Sequence, residues 1–241
     1  MLHFPATRTD APVLICFPHA GGSAGFFRPL AAALEGEVEV VAVQPPGRQD
    51  RHAEPPLQSI AELVDEVLPT LRRWTSRPVA LFGHSMGAVV GFEVARRLEQ
   101  EGTPVRRLLA SARRAPSRHR IEVLHQQSDA VLLAELRQLG GPHSEILDDQ
   151  EQARALLPVI RSDYRAIETY RCGADVMLDC PISVFAGNQD PRVGVDDLEA
   201  WRGHTRSGCD IRTFDGGHFY LAERVRPVAR VLRATVAALA R

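Results

Sequence analysis

Residues 78–98 read Pro78-Val79-Ala80-Leu81-Phe82, then Gly83-His84-Ser85-Met86-Gly87, then Ala88-Val89-Val90-Gly91-Phe92-Glu93-Val94-Ala95-Arg96-Arg97-Leu98. The first five residues are an apolar run of the length of a short buried strand, and the last eleven read as a helix. A Gly-x-Ser-x-Gly turn between a strand and a helix is the setting of a serine nucleophile. The turn is sharp, and small flanking residues let strand and helix pack closely enough to hold it. Ser85 then presents its hydroxyl to a substrate. The Met86 N–H, at the start of the helix, points to where negative charge develops on an attacked carbonyl. The pentapeptide alone recurs by chance in many chains; its flanking elements give it meaning.

Outward from the turn, apolar runs alternate with helical patterns. Residues 12–17, 38–43, 105–112, 181–186 and 209–214 read as further strands. Leu57, Ile60, Leu63, Val64, Val67, Leu68 and Leu71 recur at helical spacing and predict an amphipathic helix. Residues 219–240 close the chain as a helix with a bend near Pro227. This alternation predicts an α/β fold with a mostly parallel sheet covered on both faces. Residues 120–170 break the rhythm. Val131, Leu132, Leu133, Leu136 and Leu139 predict one helix, ending at Gly140-Gly141-Pro142, and Ala155, Leu156, Leu157, Ile160, Tyr164 and Ile167 predict another. The expected organisation is a core of residues 1–119 and 171–241, with 120–170 inserted as a helical lid. The alternative is that the insertion merely extends the core.

A serine hydroxyl needs a base to take its proton, and the base needs a carboxylate to fix its tautomer. After an elbow of this kind the partners follow in the order Asp or Glu, then His. His218 is the candidate base, because it follows the last predicted strand in Asp215-Gly216-Gly217-His218-Phe219. His119, His125, His143 and His204 do not follow a strand in this way. His84 adjoins Ser85, but neighbours on a sharp turn diverge, so it reads as a packing residue. Asp190 is the candidate orienter, entering a turn after a strand in Gly187-Asn188-Gln189-Asp190-Pro191. Asp215 competes with it, although an Asp before two glycines is also a turn former. Asp163 sits in a helical pattern, and neither it nor Asp175 follows a sheet strand. The second oxyanion donor is expected from Phe17-Pro18-His19-Ala20-Gly21-Gly22-Ser23, with the Ala20 N–H paired to that of Met86.

Composition narrows the partners. The net charge is −1 over 241 residues, which gives no electrostatic footprint for nucleic acid. All the basic residues other than histidine are arginine. Cys16, Cys172, Cys180 and Cys209 form no metal-binding spacing, and Cys16 lies in an apolar run as a buried thiol. The first ten residues do not pattern as a signal peptide, and no apolar run reaches membrane-spanning length. The expectation is a cytoplasmic monomer with no metal, no cofactor, no membrane and no nucleic-acid partner.

Taken with their order, several stretches carry a resemblance. Phe17-Pro18-His19-Ala20-Gly21-Gly22, Gln44-Pro45-Pro46-Gly47-Arg48, Gly83-His84-Ser85-Met86-Gly87, Arg113-Arg114-Ala115-Pro116, Leu157-Pro158 with Asp163-Tyr164, Gly187-Asn188-Gln189-Asp190 and Gly217-His218-Phe219 run from residue 17 to 219. In these the chain resembles type II thioesterases, the editing hydrolases of polyketide and nonribosomal peptide synthesis. The resemblance implies an α/β-hydrolase fold with a helical lid, Ser85, Asp190 and His218 as the triad, and Ala20 and Met86 as the oxyanion hole. It implies as substrate an acyl group on the phosphopantetheine arm of an acyl or peptidyl carrier protein. A groove between lid and core is expected for that arm. Arg48, Arg113 and Arg114 are candidates to meet an acidic carrier, against a solvated or structural role. The competing activities are a general carboxylesterase, a chain-terminating fatty acyl-carrier thioesterase, and a catalytically dead hydrolase that only binds carriers.

Overall fold

The computed structural model describes residues 1–141 and 149–238. Seven strands form one sheet in the order β1-β3-β2-β4-β5-β6-β7. They are β1 (Leu2–Phe4), β2 (Val13–Phe17), β3 (Glu39–Ala42), β4 (Val79–His84), β5 (Arg107–Ser111), β6 (Ile182–Gly187) and β7 (Cys209–Phe214). Every neighbouring pair is parallel except β1, which runs antiparallel along β3 with Leu2 opposite Ala42. The sequence pattern does not reveal β1. Three residues are too few for a period, and it is the free edge of β3 that makes them a strand.

Two layers of helix cover the sheet. On one face α2 (Ile60–Leu71) and α3 (Met86–Gln100) close a core that includes Ile15, Val41, Leu81 and Leu108. On the other, α1 (Arg28–Ala33) and α8 (Val225–Ala237) cover Leu14, Val40, Phe82 and Leu109. Alternate residues of one strand thus serve opposite cores, and β2 and β4 are buried along their whole length. Helix α2 begins at Ile60 rather than near Leu57, because the Ser59 hydroxyl accepts the Glu62 N–H at 3.2 Å and caps it. The C-terminal helix departs from expectation. It is broken at Arg224 into α7 (Tyr220–Glu223) and α8, and Pro227 stands in the first turn of α8, where its missing N–H costs nothing. The expected end at residue 240 lies outside the described residues.

Between β5 and β6 come α4 (Asp129–Leu139) and α5 (Gln150–Thr169), which share a small core of Leu132, Leu136, Ala153, Leu157 and Ile160. Helix α4 stops at Gly140, whose φ is +67°; the expected Pro142 lies outside the described residues. A short helix α6 (Val195–Glu199) follows β6. Among the described residues, no helix is long and apolar enough to cross a membrane.

The join of β4 to α3 depends on two glycines. A Cβ at Gly87 would stand 2.1 Å from the Phe17 carbonyl oxygen, and one at Gly83 would stand 2.0 Å from the Gly87 carbonyl oxygen. Both obstacles are backbone, so neither can turn aside. Gly87→Ala is expected to cost about 3 kcal/mol or more of stability in urea unfolding. Ala at Gly102, whose Cβ meets nothing within 4 Å, should cost only the strain of a φ of +74°.

Candidate active site

Ser85 occupies the turn with φ +54° and ψ −117°. A non-glycine residue there carries strain of roughly 1–3 kcal/mol, tolerated only where the surroundings enforce it. They do so here: the Ser85 N–H donates to Ser111 O at 2.8 Å, and Ser85 O accepts the Ala88 N–H at 3.0 Å. The strand thus ends and the helix begins within one residue, which lifts the hydroxyl out of the sheet edge.

His218 Nε2 lies 3.0 Å from Ser85 Oγ, and His218 Nδ1 lies 2.9 Å from Asp190 Oδ2. The Asp190 carboxylate is fully buried, and its other oxygen accepts the Arg192 N–H at 2.8 Å. A carboxylate can only accept, so Nδ1 carries the proton and Nε2 is left to accept from serine. The loops bearing Asp190 and His218 are joined backbone to backbone. Asn188 N–H donates to Phe214 O, and Gln189 N–H to Gly216 O, at 2.8 and 3.0 Å. Gly187 permits this, since its Cβ would meet the Gly217 oxygen at 2.2 Å. Asp215, the competing acid, accepts from Asn188 Nδ2 and so braces the loop instead.

The remaining histidines have other work. His119 contacts Cys172 O, His125 contacts Glu168, and His204 lies between Ser117 and Val176 O, while His143 is outside the described residues. His84 is fully buried beneath the base, with its ring centroid 5.6 Å from that of His218. Its Nδ1 contacts Ser111 Oγ, which in turn meets the Tyr220 hydroxyl. Burial, with His218 nearby, holds His84 well below the ordinary imidazole range, so it stays neutral beneath the His218 ring.

Ala20 lies in the turn after β2, and a set of hydrogen bonds holds the backbone around it. The Gly22 N–H returns to His19 O at 2.8 Å, fixing the peptide whose N–H belongs to Ala20. The Gly21 N–H donates to Asp163 Oδ2 at 2.6 Å. Gly22 O accepts from Arg48 Nε at 2.9 Å, and Arg48 also bonds Pro46 O and pairs with Asp163. Gln44 completes the brace, accepting from Ala24 N–H and donating to Arg48 O. The Gln44-Pro45-Pro46-Gly47-Arg48 element is therefore the scaffold of the Ala20 loop. Asp163 is the residue that sequence reasoning missed. Its signal was present: Ile160, Asp163, Tyr164 and Ile167 follow i, i+3, i+4, i+7, which puts a carboxylate on an apolar face.

The three arginines considered for an acidic partner turn inward. Arg48 and Arg114 are buried, Arg114 against Glu122, and Arg113 is half-buried. A cleft of about 50 Å³ opens over Ser85, bounded by Ala20, Met86, Arg114, Tyr164 and His218. Leu136 and Leu139 of α4 stand over its neighbouring recess. Among the described residues, no group of three or more His, Cys, Asp or Glu side chains is placed to hold a metal ion.

Comparison with known proteins gives consistent matches. The family model described as thioesterase domain matches residues 12–236. The chain is 44% identical over 223 residues to thioesterase PikA5 of Streptomyces venezuelae, covering 92% of this chain and 79% of that one. It is 45% identical over 219 residues to a probable cadicidin biosynthesis thioesterase of Streptomyces griseus, covering 91% of this chain and 61% of that protein's length. The type II thioesterase BorB of the borrelidin cluster superposes with a TM-score of 0.90 at 47% identity, over 98% of this chain and 96% of that one. The type II thioesterase YbtT of the yersiniabactin pathway does so at 0.88 and 31%, over 98% and 97%.

Removing Asp163 tests the brace around Ala20. Asp163→Leu is expected to lower kcat about 10- to 100-fold with little change in KM, as a shifted donor would. It should also cost about 3–5 kcal/mol, because Arg48 is left buried and unpaired. Adding Arg48→Met should restore the urea midpoint and not the rate. Recovery of kcat together with stability would mean that the pair only holds the fold.

Proposed function

The chain belongs to the thioesterase domain family, and from that premise we propose that it is a stand-alone editing thioesterase of polyketide or nonribosomal peptide synthesis. Its substrate is an acyl group held as a thioester on the phosphopantetheine arm of a carrier protein. The observation that carries this reading is the continuous relay from Ser85 through His218 to a buried Asp190, opening into a cleft. Ser85 Oγ attacks the thioester carbonyl as His218 Nε2 takes its proton. The N–H groups of Ala20 and Met86 receive the oxyanion, a contribution of about 100- to 1,000-fold per donor in comparable sites. Collapse breaks the C–S bond, and His218 returns its proton to the departing thiol. Water, deprotonated by the same imidazole, then cleaves the acyl-Ser85 ester and releases the free acid. Asp190 stabilises the imidazolium in both halves without taking a proton itself.

We read residues 120–170 as a lid over a core of 1–119 and 171–241. Side chains of α4 and α5 overhang Ser85, which supports this division. The described cleft is small, which favours short acyl groups over the long products of a chain-terminating fatty acyl thioesterase. A cytoplasmic monomer is the setting we assign, and four free cysteines suit a reducing compartment.

A panel of acyl-carrier proteins of increasing chain length, with a nitrophenyl ester beside it, tests the reading. Acetyl to butyryl thioesters should be cleaved fastest, and Ser85→Ala should lose at least about 1,000-fold in kcat. Efficient turnover of the oxygen ester alone would make the protein a carboxylesterase. Retained activity in Ser85→Ala would rule out the nucleophile.

A further inference from the structure

Two aliphatic side chains stand out of this surface. Ile121 is 97% exposed and Val195 is 74% exposed, well beyond Val123 and Val131, the other exposed large apolar side chains among the described residues. Both adjoin, along the chain, residues that line the Ser85 cleft. Ile121 precedes Glu122, and Val195 follows Arg192 and Val193, all three of which line that cleft. The two segments are tied together, since Arg120 Nη1 donates to Arg192 O at 3.0 Å and Arg120 Nη2 pairs with Asp197 at 2.5 Å. The apolar pair therefore sits on a braced rim.

The surroundings of Ile121 are basic. Residues 113–120 hold four arginines and a histidine with no acid, in a chain of net charge −1. The structure sorts these cations. Arg114 is buried against Glu122 and Arg113 is half-buried, while the side chains of Arg118 and Arg120 are 51% and 45% exposed. His119 and Arg171 are exposed beside them. Of the acids on the element that carries Val195, Asp197 is buried against Arg118 and Arg120 and offsets one positive charge, Glu199 pairs with Arg202, and Asp196 is exposed beside Val195, so the positive charge is concentrated on the Ile121 side.

An exposed aliphatic centre ringed by guanidinium groups, at the mouth of a cleft, is complementary to an acidic protein surface with an apolar spot. We propose that the Ile121–Val195 rim, with Arg118 and Arg120, is the docking surface for an acidic carrier domain, seating it where its acyl arm enters over Ser85. This rests on the thioesterase reading and adds a place for the partner. The patch is small, which suits a substrate-bearing partner that must leave after each turnover. Charges at the rim would speed encounter, and Ile121 would set residence.

The test sets one acyl group on two scaffolds, an acidic carrier protein and free pantetheine, with wild type, Ile121→Asp and Arg118→Glu. Both substituted side chains are exposed, so folding should be intact. The expected result is a fall of about tenfold or more in kcat/KM for the carrier substrate, mostly through KM. Acyl-pantetheine turnover should stay within about twofold. Added salt should slow wild type on the carrier and affect Arg118→Glu less. Variants that process the carrier as wild type does, or that lose both substrates in parallel, overturn the docking surface. Sedimentation of wild type as a dimer that Ile121→Asp dissolves would assign the rim to a second copy of the chain and overturn it as well. Wild type that cleaves neither thioester overturns the thioesterase reading, and the docking surface with it.

Discussion

At Gly87, helix α3 meets the end of β2 backbone to backbone. Gly87 rests against the Phe17 carbonyl, and Gly83 against Gly87, at separations that any Cβ would violate. The rest of the site depends on this contact. It places the first N–H of α3 beside the loop that leaves β2, so that Met86 and Ala20 come to the same side of Ser85. It also forces Ser85 into a positive φ, which raises the hydroxyl above the sheet. A helix docked one methyl group further away would leave each residue in place along the chain and separate the groups that must act together.

The second constraint is electrostatic. Arg48 and Asp163 are both buried, and together they hold the Gly21–Gly22 turn from two directions. Burial raises the Asp163 carboxyl above its ordinary range, while Arg48 and the Gly21 N–H oppose that shift. Such a pair contributes little net stability, since desolvation consumes much of the Coulombic gain. What it supplies is geometry. A carboxylate on α5 bonds a loop that follows β2, so the placement of that loop depends on the placement of α5. A helix seated wrongly over the site would disturb the Ala20 loop as well as the cleft.

Much of this was legible in the chain. The strand–turn–helix reading of residues 78–98 held because its signals are local: an apolar run, two glycines and a helical pattern within 21 residues. The order of Ser85, Asp190 and His218 was legible because each follows a strand, and parallel strands deliver their loops to one edge. Strand β1 was not legible, since an edge partner and not a pattern creates it. Pro227 suggests a bend in the C-terminal helix, whereas the break falls at Arg224 and Pro227 takes a place in the new first turn. Choosing Asp190 over Asp215 was a matter of position in the sequence, and the bond from Asn188 to Asp215 supplies the physical ground.

The sequence by itself determined the fold class and pointed to the serine, carboxylate and histidine that the structure brings together, because hydrophobic period, glycine placement and strand order are properties of short windows. Only the tertiary structure decided which charges brace the loops around them. Asp163 and Gly21 are 142 residues apart, and Arg48 and Asp163 are 115 apart. No local pattern announces that a helix carboxylate will brace the loop of Ala20 and Gly21. The same holds for the arginines of residues 113–120, alike in sequence but divided by packing into those turned inward and those left half-exposed. Burial is a property of the assembled chain, and the cost of desolvating a charge exists only once the surface has closed over it.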